Sequence, residues 1–324
     1  MKTKAVIMHK QGPADVMVLE EIDVPAPAAG EVRLEQTAIG LNYMDVYQRS
    51  GHYPMAMPSA LGLEAAGVVL DVGEGVNDLK PGDRVVYGPV LGAYAKIRNI
   101  AAARVIAIPD GISDEVAAAV LMKGMTVEYL LCRAYPVKAG EDVLFYAASG
   151  GVGHLAGQWG KHIGARMIGV TSGPENCRQA LANGYADVID RKSEDIAKRV
   201  RELTNGKGVS VVFDSVGKAT FEASIDSLAP RGFFISFGST TGEAPDVPPA
   251  LLQKKGSLYF CRPTLANYVG TREYLVHSAA KVLELVAANV LKVTISQRRP
   301  MSDIVEIHKA FEAGDTTGST IIIP

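Results

Sequence analysis

The chain has 324 residues, 48% of them hydrophobic and 21% charged, and 33 Lys plus Arg against 35 Asp plus Glu give a formal charge of −2. That length predicts two domains in a chain of ordinary globular composition, and the missing basic excess argues against nucleic acid or an anionic membrane as partner. Cys132, Cys177 and Cys261 are far apart and odd in number, which argues against a disulfide framework or a cysteine-built zinc site.

The opening MKTKAVIMHKQG lacks the apolar core of a signal peptide, and charges interrupt the chain too often for a membrane span; a reducing cytoplasm is the expectation. Residues 1–120 are rich in Gly, Pro and Val. Short extended runs such as EVRLEQTAIGL and AAGVVLDVG are parted by turn signals, APAAGE and DVGEGVNDLKPGD, which predicts a β-rich domain. From about Val116 the texture changes, and AAAVLMKGMTVEYLLCRA carries a helical apolar spacing.

Strands and helices then alternate. VLFYA, RMIGV, ADVID, VSVVFD and FFISFG read as strands. GHLAGQWGKHIG, ENCRQALANG, SEDIAKRVRELTN and ATFEASIDSLA read as the helices between them. This rhythm predicts a doubly wound parallel sheet. A long helix over TREYLVHSAAKVLELVAANV follows, and STIIIP closes the chain as a strand able to return to the first domain.

At the first strand-to-helix junction, ASGGVG (Ala148 to Gly153) fits G-x-G-x-x-G with Ala148 in the first glycine place. Ser149, Gly150, Gly151, Val152 and Gly153 then form a phosphate turn. Gly150 allows close approach of a pyrophosphate, Gly153 allows tight packing of helix on sheet, and the first helical N–H groups face the anion. A dinucleotide is expected here. The next strand ends in Val170, Thr171 and Ser172 with no acid for the ribose hydroxyls, while Arg178 and Arg191 supply charge nearby, so NADPH is expected over NADH.

Together MKGMTVEYLL, AASGGVG, VVFDSVG, ISFGSTTG and AIGLNYMDVYQRSGHYP resemble the zinc-free quinone oxidoreductases of the medium-chain dehydrogenase/reductase superfamily, the ζ-crystallin type. The likeness spans essentially the whole chain. It implies an α/β fold: a β-rich GroES-like catalytic domain over 1–122 and 267–324, and a Rossmann NADPH-binding domain over 123–266. Matching the superfamily's zinc alcohol dehydrogenases places Asn42 at the first ligand cysteine, Leu63 at a ligand histidine and Lys123 at the second cysteine. The lobe for structural zinc is missing after Asp83-Arg84, so no metal is expected.

A quinone is electrophilic enough to accept hydride with hydrogen-bond donors alone. The resemblance offers Asn42, Tyr47 and Tyr53 as donors to the developing phenolate-like oxygen, with Tyr43 nearby. Asp45 is expected to hold the local turn, and Glu64 to survive as a structural or salt-bridged carboxylate. The resemblance also places Lys123 and Thr126 near the nicotinamide, and Phe237, Gly238, Ser239, Arg262 and Pro263 along the cofactor cleft. It departs from the family at the 2′-phosphate, where Asn176 and Arg191 stand in place of a lysine and a tyrosine. His52 and His154 read as a surface-turn residue and a helix residue.

The leading expectation is NADPH-dependent reduction of a small quinone. Reduction of an activated alkene, as in alkenal and enoyl reductases, is the second reading. A crystallin-like structural or RNA-binding protein is the third, and the near-neutral charge weighs against RNA. A homodimer joined through the apolar edge strand GSLYF is implied by the resemblance.

Overall fold

The computed structural model describes residues 1–314 and 318–324, which divide into two compact units, Met1–Lys123 with Gly270–Pro324, and Gly124–Val269.

The first unit is built on antiparallel strands. Glu31–Gly40 is its central strand, with alternate residues buried, and pairs with Glu64–Val72, Ile97–Ala101 and the final strand Ser319–Ile323. These belong to a seven-stranded sheet that Ile295–Pro300 extends on one side and Arg84–Tyr87 and Val105–Ala107 on the other. A separate three-stranded sheet joins Met17–Asp23, Lys2–Met8 and Ser59–Ala60. Val32, Leu34, Ile39, Val69, Val85, Tyr87 and Ile322 form the core. The C-terminal strand does return to this unit, as its apolar run predicts.

One helix here is not obvious from apolar spacing. Tyr43–Ser50 starts at Asn42, whose N–H donates to Asp45 Oδ2 (2.9 Å) while the Asp45 N–H donates back to the Asn42 carbonyl (3.0 Å). It ends at Gly51, whose φ of 92° is a left-handed cap that glycine adopts at little cost.

The second unit carries a six-stranded, wholly parallel sheet. Its order is Asp187–Asp190, Arg166–Thr171, Asp142–Tyr146, Val209–Asp214, Leu228–Ser236 and Tyr259–Cys261. Helices Gly151–Ile163, Pro174–Ala182, Ile196–Leu203 and Phe221–Ser227 connect the strands, close to the segments the sequence predicts. Leu144, Ile168, Val170, Ile189, Val212 and Phe234 fill one face of the sheet. The helix begun at Asp114 runs to Tyr129 and widens into a π turn over Leu130–Ala134. The long C-terminal helix, part of the first unit, spans Arg272–Ala287 and is capped by Thr271, whose hydroxyl accepts from the Tyr274 N–H.

Candidate active site

In the parallel sheet Asp142–Tyr146 comes first in the chain yet lies in the middle, with Arg166–Thr171 on one side and Val209–Asp214 on the other. Loops leaving such a strand part in opposite directions and open a crevice at its carboxyl end. The glycine turn sits there. Ala147 has a φ of 52°, so the left-handed residue is one position earlier than the first-glycine place assigned by motif. Ala148 is instead buried against the sheet, its N–H donating to the Val170 carbonyl (3.1 Å).

The Gly150 N–H closes the turn on the Ala147 carbonyl (2.9 Å), and Gly150 caps the helix in extended geometry without a side-chain acceptor. A Cβ on Gly153 would stand 2.2 Å from the Ala147 carbonyl oxygen and 2.8 Å from Ala148 Cα, so only glycine permits this approach of helix to strand. The N–H groups of Gly151, Val152 and Gly153 have no carbonyl one turn back. Gathered at the positive end of the macrodipole, they fit a phosphate.

The flanking strand ends extend this site. Ser149 Oγ lies 2.7 Å from Thr171 Oγ1, and Arg191 Nε donates to Ser172 Oγ (3.0 Å). The predicted pair Ser172 and Arg191 is thus brought together beside the turn. Asn176 is committed elsewhere, its amide donating to the Ser172 carbonyl (2.9 Å). Asp190 accepts from the Gly173 and Lys192 N–H groups (both 3.0 Å), which hold its carboxyl below the usual carboxylate range and keep it in the loop.

On the other side, buried Asp214 organises the next turn, a role its place in VVFDSVG did not reveal. Its Oδ1 accepts from the Val216 and Gly217 N–H groups (2.7 and 3.1 Å), and its Oδ2 from the Thr220 and Ser224 hydroxyls (both 2.7 Å). The Phe237 N–H donates to the Asp214 carbonyl (2.8 Å), and the Phe237 ring lies 5.6 Å from that of Phe145 on the first strand. Gly238 is required by close approach, a Cβ there falling 2.5 Å from the Ser215 carbonyl oxygen. Ser239 and Pro263 are buried, and exposed Arg262 donates to the Ser236 carbonyl (3.0 Å). Thr126 is half-buried on the helix Asp114–Tyr129.

In the first unit, three distant segments meet at Glu64. Its carboxylate is fully buried; Oε1 accepts from the Met122 N–H, and Oε2 accepts from Asn42 Nδ2 (3.0 Å) and faces Lys123 Nζ (3.6 Å). Burial raises its pKa, and Lys123, the Met122 N–H and the Asn42 amide oppose that rise. Gly40 makes room, since a Cβ there would lie 2.6 Å from Glu64 Oε2 and 2.2 Å from the Ala118 carbonyl oxygen. The Asn42 amide group points its hydrogens at Glu64 and, at 3.5 Å, at the Gly40 carbonyl. The Asn42 amide is thus engaged within the protein.

Those tyrosines form one aromatic group. Tyr47 meets Tyr43 edge-on at 5.0 Å and Tyr53 at 5.7 Å, and His52 packs on Tyr47 at 4.7 Å. Gln11 ties the turn by donating to the Gln48 and Tyr53 carbonyls (2.6 and 2.8 Å). Phe311, which sequence reasoning missed, joins through Tyr43 at 5.7 Å.

Behind the helix lies a buried relay. Tyr94 OH donates to Asp45 Oδ2 (2.9 Å) and stands 3.1 Å from His308 Nε2. Burial lifts Asp45 to about 7, against the Asn42 N–H and the Tyr94 hydroxyl, and lowers His308 to about 3. Arg49, also buried, pairs with Glu312 at 2.5 Å.

The superfamily's zinc has no fitting donor set here. Asn42 presents a committed amide, Leu63 an apolar side chain and Lys123 a cation already facing Glu64, whereas zinc wants several N, S or O donors. Among the described residues no group of three or more His, Cys, Asp and Glu side chains could hold a metal ion. Nor is any described helix long and apolar enough to cross a membrane.

Comparison with known proteins agrees with this architecture. Residues 28–138 match the alcohol dehydrogenase GroES-like domain, and residues 151–288 match the zinc-binding dehydrogenase family. Together with the central glycine turn they define a medium-chain dehydrogenase/reductase. A quinone oxidoreductase of Salmonella typhimurium is 45% identical over 98% of both chains. The crystal structure of Escherichia coli quinone oxidoreductase complexed with NADPH superposes with a TM-score of 0.97, at 43% identity over 99% of this chain and 100% of that one. A 2-haloacrylate reductase of a Burkholderia species is 38% identical over 99% of this chain and 98% of its own. This chain belongs to the quinone oxidoreductase family.

Proposed function

We propose that this protein is an NADPH-dependent quinone reductase that works without a metal. The observation that carries the reading is the turn from Ala147 to Gly153: a helix end without a side-chain cap, built on a glycine that no other residue can replace, at the crevice of a doubly wound sheet. Bound NADPH supplies hydride from nicotinamide C4. The amides of Gly151, Val152 and Gly153, with Ser149 and Gly150, hold the diphosphate. Ser172 and Arg191 would hold the 2′-phosphate; an arginine paired with a hydroxyl suits it, and Asp190, at the end of the neighbouring strand, is already engaged by backbone. Thr126, Phe237, Gly238, Ser239, Arg262 and Pro263, and from the other unit Lys123, are the residues that the family resemblance offers for the rest of the cofactor.

As hydride reaches a quinone carbon, negative charge grows on the carbonyl oxygen. The Tyr47 and Tyr53 hydroxyls stabilise it, and Asn42 holds the helix that carries Tyr47. A proton from a tyrosyl hydroxyl or from water neutralises that oxygen, and loss of the added C–H hydrogen as a proton, with protonation of the second oxygen, completes the hydroquinone. The aromatic group around Tyr47 offers ring faces to a planar substrate.

A second reading, reduction of an activated carbon–carbon double bond, is favoured by the likeness to a 2-haloacrylate reductase. Steady-state oxidation of NADPH separates the two: rapid turnover with phenanthrenequinone and none with crotonaldehyde or 2-chloroacrylate supports quinone reduction, and the reverse supports the second reading.

Assembly as a homodimer fits the sheet. Tyr259–Cys261 is an edge strand, with Tyr259 53% exposed and stacked at 4.4 Å on Phe233, an apolar edge that a second copy would cover. A cytoplasmic setting fits the three cysteines, which form no disulfide among the described residues.

A further inference from the structure

We infer that Glu64 is a positioning residue for the reaction: its buried carboxylate ties the start of the tyrosine-bearing helix to the Lys123 ammonium. This rests on the functional reading above. One oxygen, Oε2, takes the Asn42 amide at 3.0 Å and faces Lys123 Nζ at 3.6 Å, while the other takes the Met122 N–H. Asn42 is the cap from which Tyr43–Ser50 begins, so its side chain sets where Tyr43 and Tyr47 start. Lys123 follows Met122 directly, so Glu64 grips that segment by backbone and by charge together.

The placement is costly, which argues that it serves a purpose. A carboxylate with no exposed surface needs strong partners. The fold also gives up a side chain at residue 40 to admit it, because a Cβ there would stand 2.6 Å from Oε2. Packing alone would be served by an apolar residue of similar volume. Such a residue would leave the Asn42 amide and the Lys123 ammonium without this acceptor, and nothing would hold the two in register.

Hydrogen-bond polarity gives the test. Glu64 only accepts when ionised, and Asn42 donates to it. A glutamine keeps one acceptor oxygen where Glu64 uses two, so Glu64→Gln sets an amide donor against either the Asn42 amide or the Met122 N–H and removes the charge that faces Lys123. The variant is expected to lose about 100-fold in kcat with phenanthrenequinone, as reacting groups shift by roughly an ångström, with a much smaller loss of NADPH affinity by fluorescence titration. The double variant Asn42→Asp, Glu64→Gln restores the bond with donor and acceptor exchanged and keeps the net charge. It is expected to recover most of kcat and of the thermal midpoint.

Wild-type kcat in a folded Glu64→Gln enzyme overturns the inference, as does a folded double variant no faster than the single one. If Glu64→Gln does not fold, the double variant carries the test alone, near-wild-type kcat supporting the link and a large loss opposing it. Failure of the quinone reading shows separately, as a wild-type enzyme that turns over no quinone. In that case the midpoints of the two single variants and the double variant still decide the link, additive losses overturning it.

Discussion

Ala147 and Gly153 approach so closely that one hydrogen is all the space allows: a Cβ on Gly153 would fall 2.2 Å from the Ala147 carbonyl oxygen. The helix Gly151–Ile163 is thereby pressed on the strand Asp142–Tyr146, and its first amides stand where the sheet opens. Gly153→Ala must push the helix outward. The expected result is a destabilisation of about 1–3 kcal/mol and a loss of NADPH affinity well beyond what stability explains, measured by denaturant midpoint and by fluorescence titration. Unchanged affinity in a folded variant would remove the turn from the cofactor site.

Arg191 and Ser172 are joined by a 3.0 Å hydrogen bond, and Arg191 is exposed. Substitution should therefore leave the fold intact. Arg191→Ala is expected to lower kcat/KM for NADPH by roughly ten- to a hundredfold, the worth of about 1.5–3 kcal/mol in a charged hydrogen bond, with little change for NADH. Equal losses with both coenzymes would contradict contact with the 2′-phosphate.

How much of this was readable from the chain depends on distance along it. The glycine turn lies within a few residues, so its place and neighbours were legible, while the left-handed backbone at Ala147 was not. The Asp45 bond to the Asn42 N–H is equally local and was legible as a turn-holding contact, whereas the helix it opens was not, being short and poor in apolar spacing. The Asn42 to Glu64 bond crosses 22 residues and the Tyr94 to His308 contact 214. No local pattern reports such partners: Glu64 read as a structural or salt-bridged carboxylate, which its ion pair with Lys123 bears out, but its partners could not be named and His308 was not singled out.

Asp45 and His308, which share the Tyr94 hydroxyl, make opposing contributions to acid stability because each is buried. Asp45 titrates near 7 in the fold against about 4 when unfolded, so the native state binds the extra proton between them and stability falls as pH rises through that window. His308 stays neutral to about 3, whereas an unfolded imidazole charges near 6.5, so stability falls as pH drops from about 6.5 to 3. Each effect amounts to roughly 4 kcal/mol at most, and between pH 4 and 6.5 they offset one another. Thermal midpoints against pH should be nearly flat there for wild type. Asp45→Asn should become acid-sensitive, and His308→Gln should become more stable towards acid. Parallel profiles for all three proteins would contradict the balance.

Tyr259 leaves its exposed ring on an edge strand. Tyr259→Lys places a charge where a second copy would pair. Light scattering is expected to change from two chain masses to one, with the thermal midpoint of the monomer little altered. A mass of one chain in wild type would rule out this interface.

The most direct test of the account is a crystal structure of the protein with NADPH bound. The diphosphate is expected against the amides of Gly151 to Gly153, with the 2′-phosphate on Ser172 and Arg191. A coenzyme whose diphosphate lies away from this turn, or whose 2′-phosphate faces solvent, would contradict it.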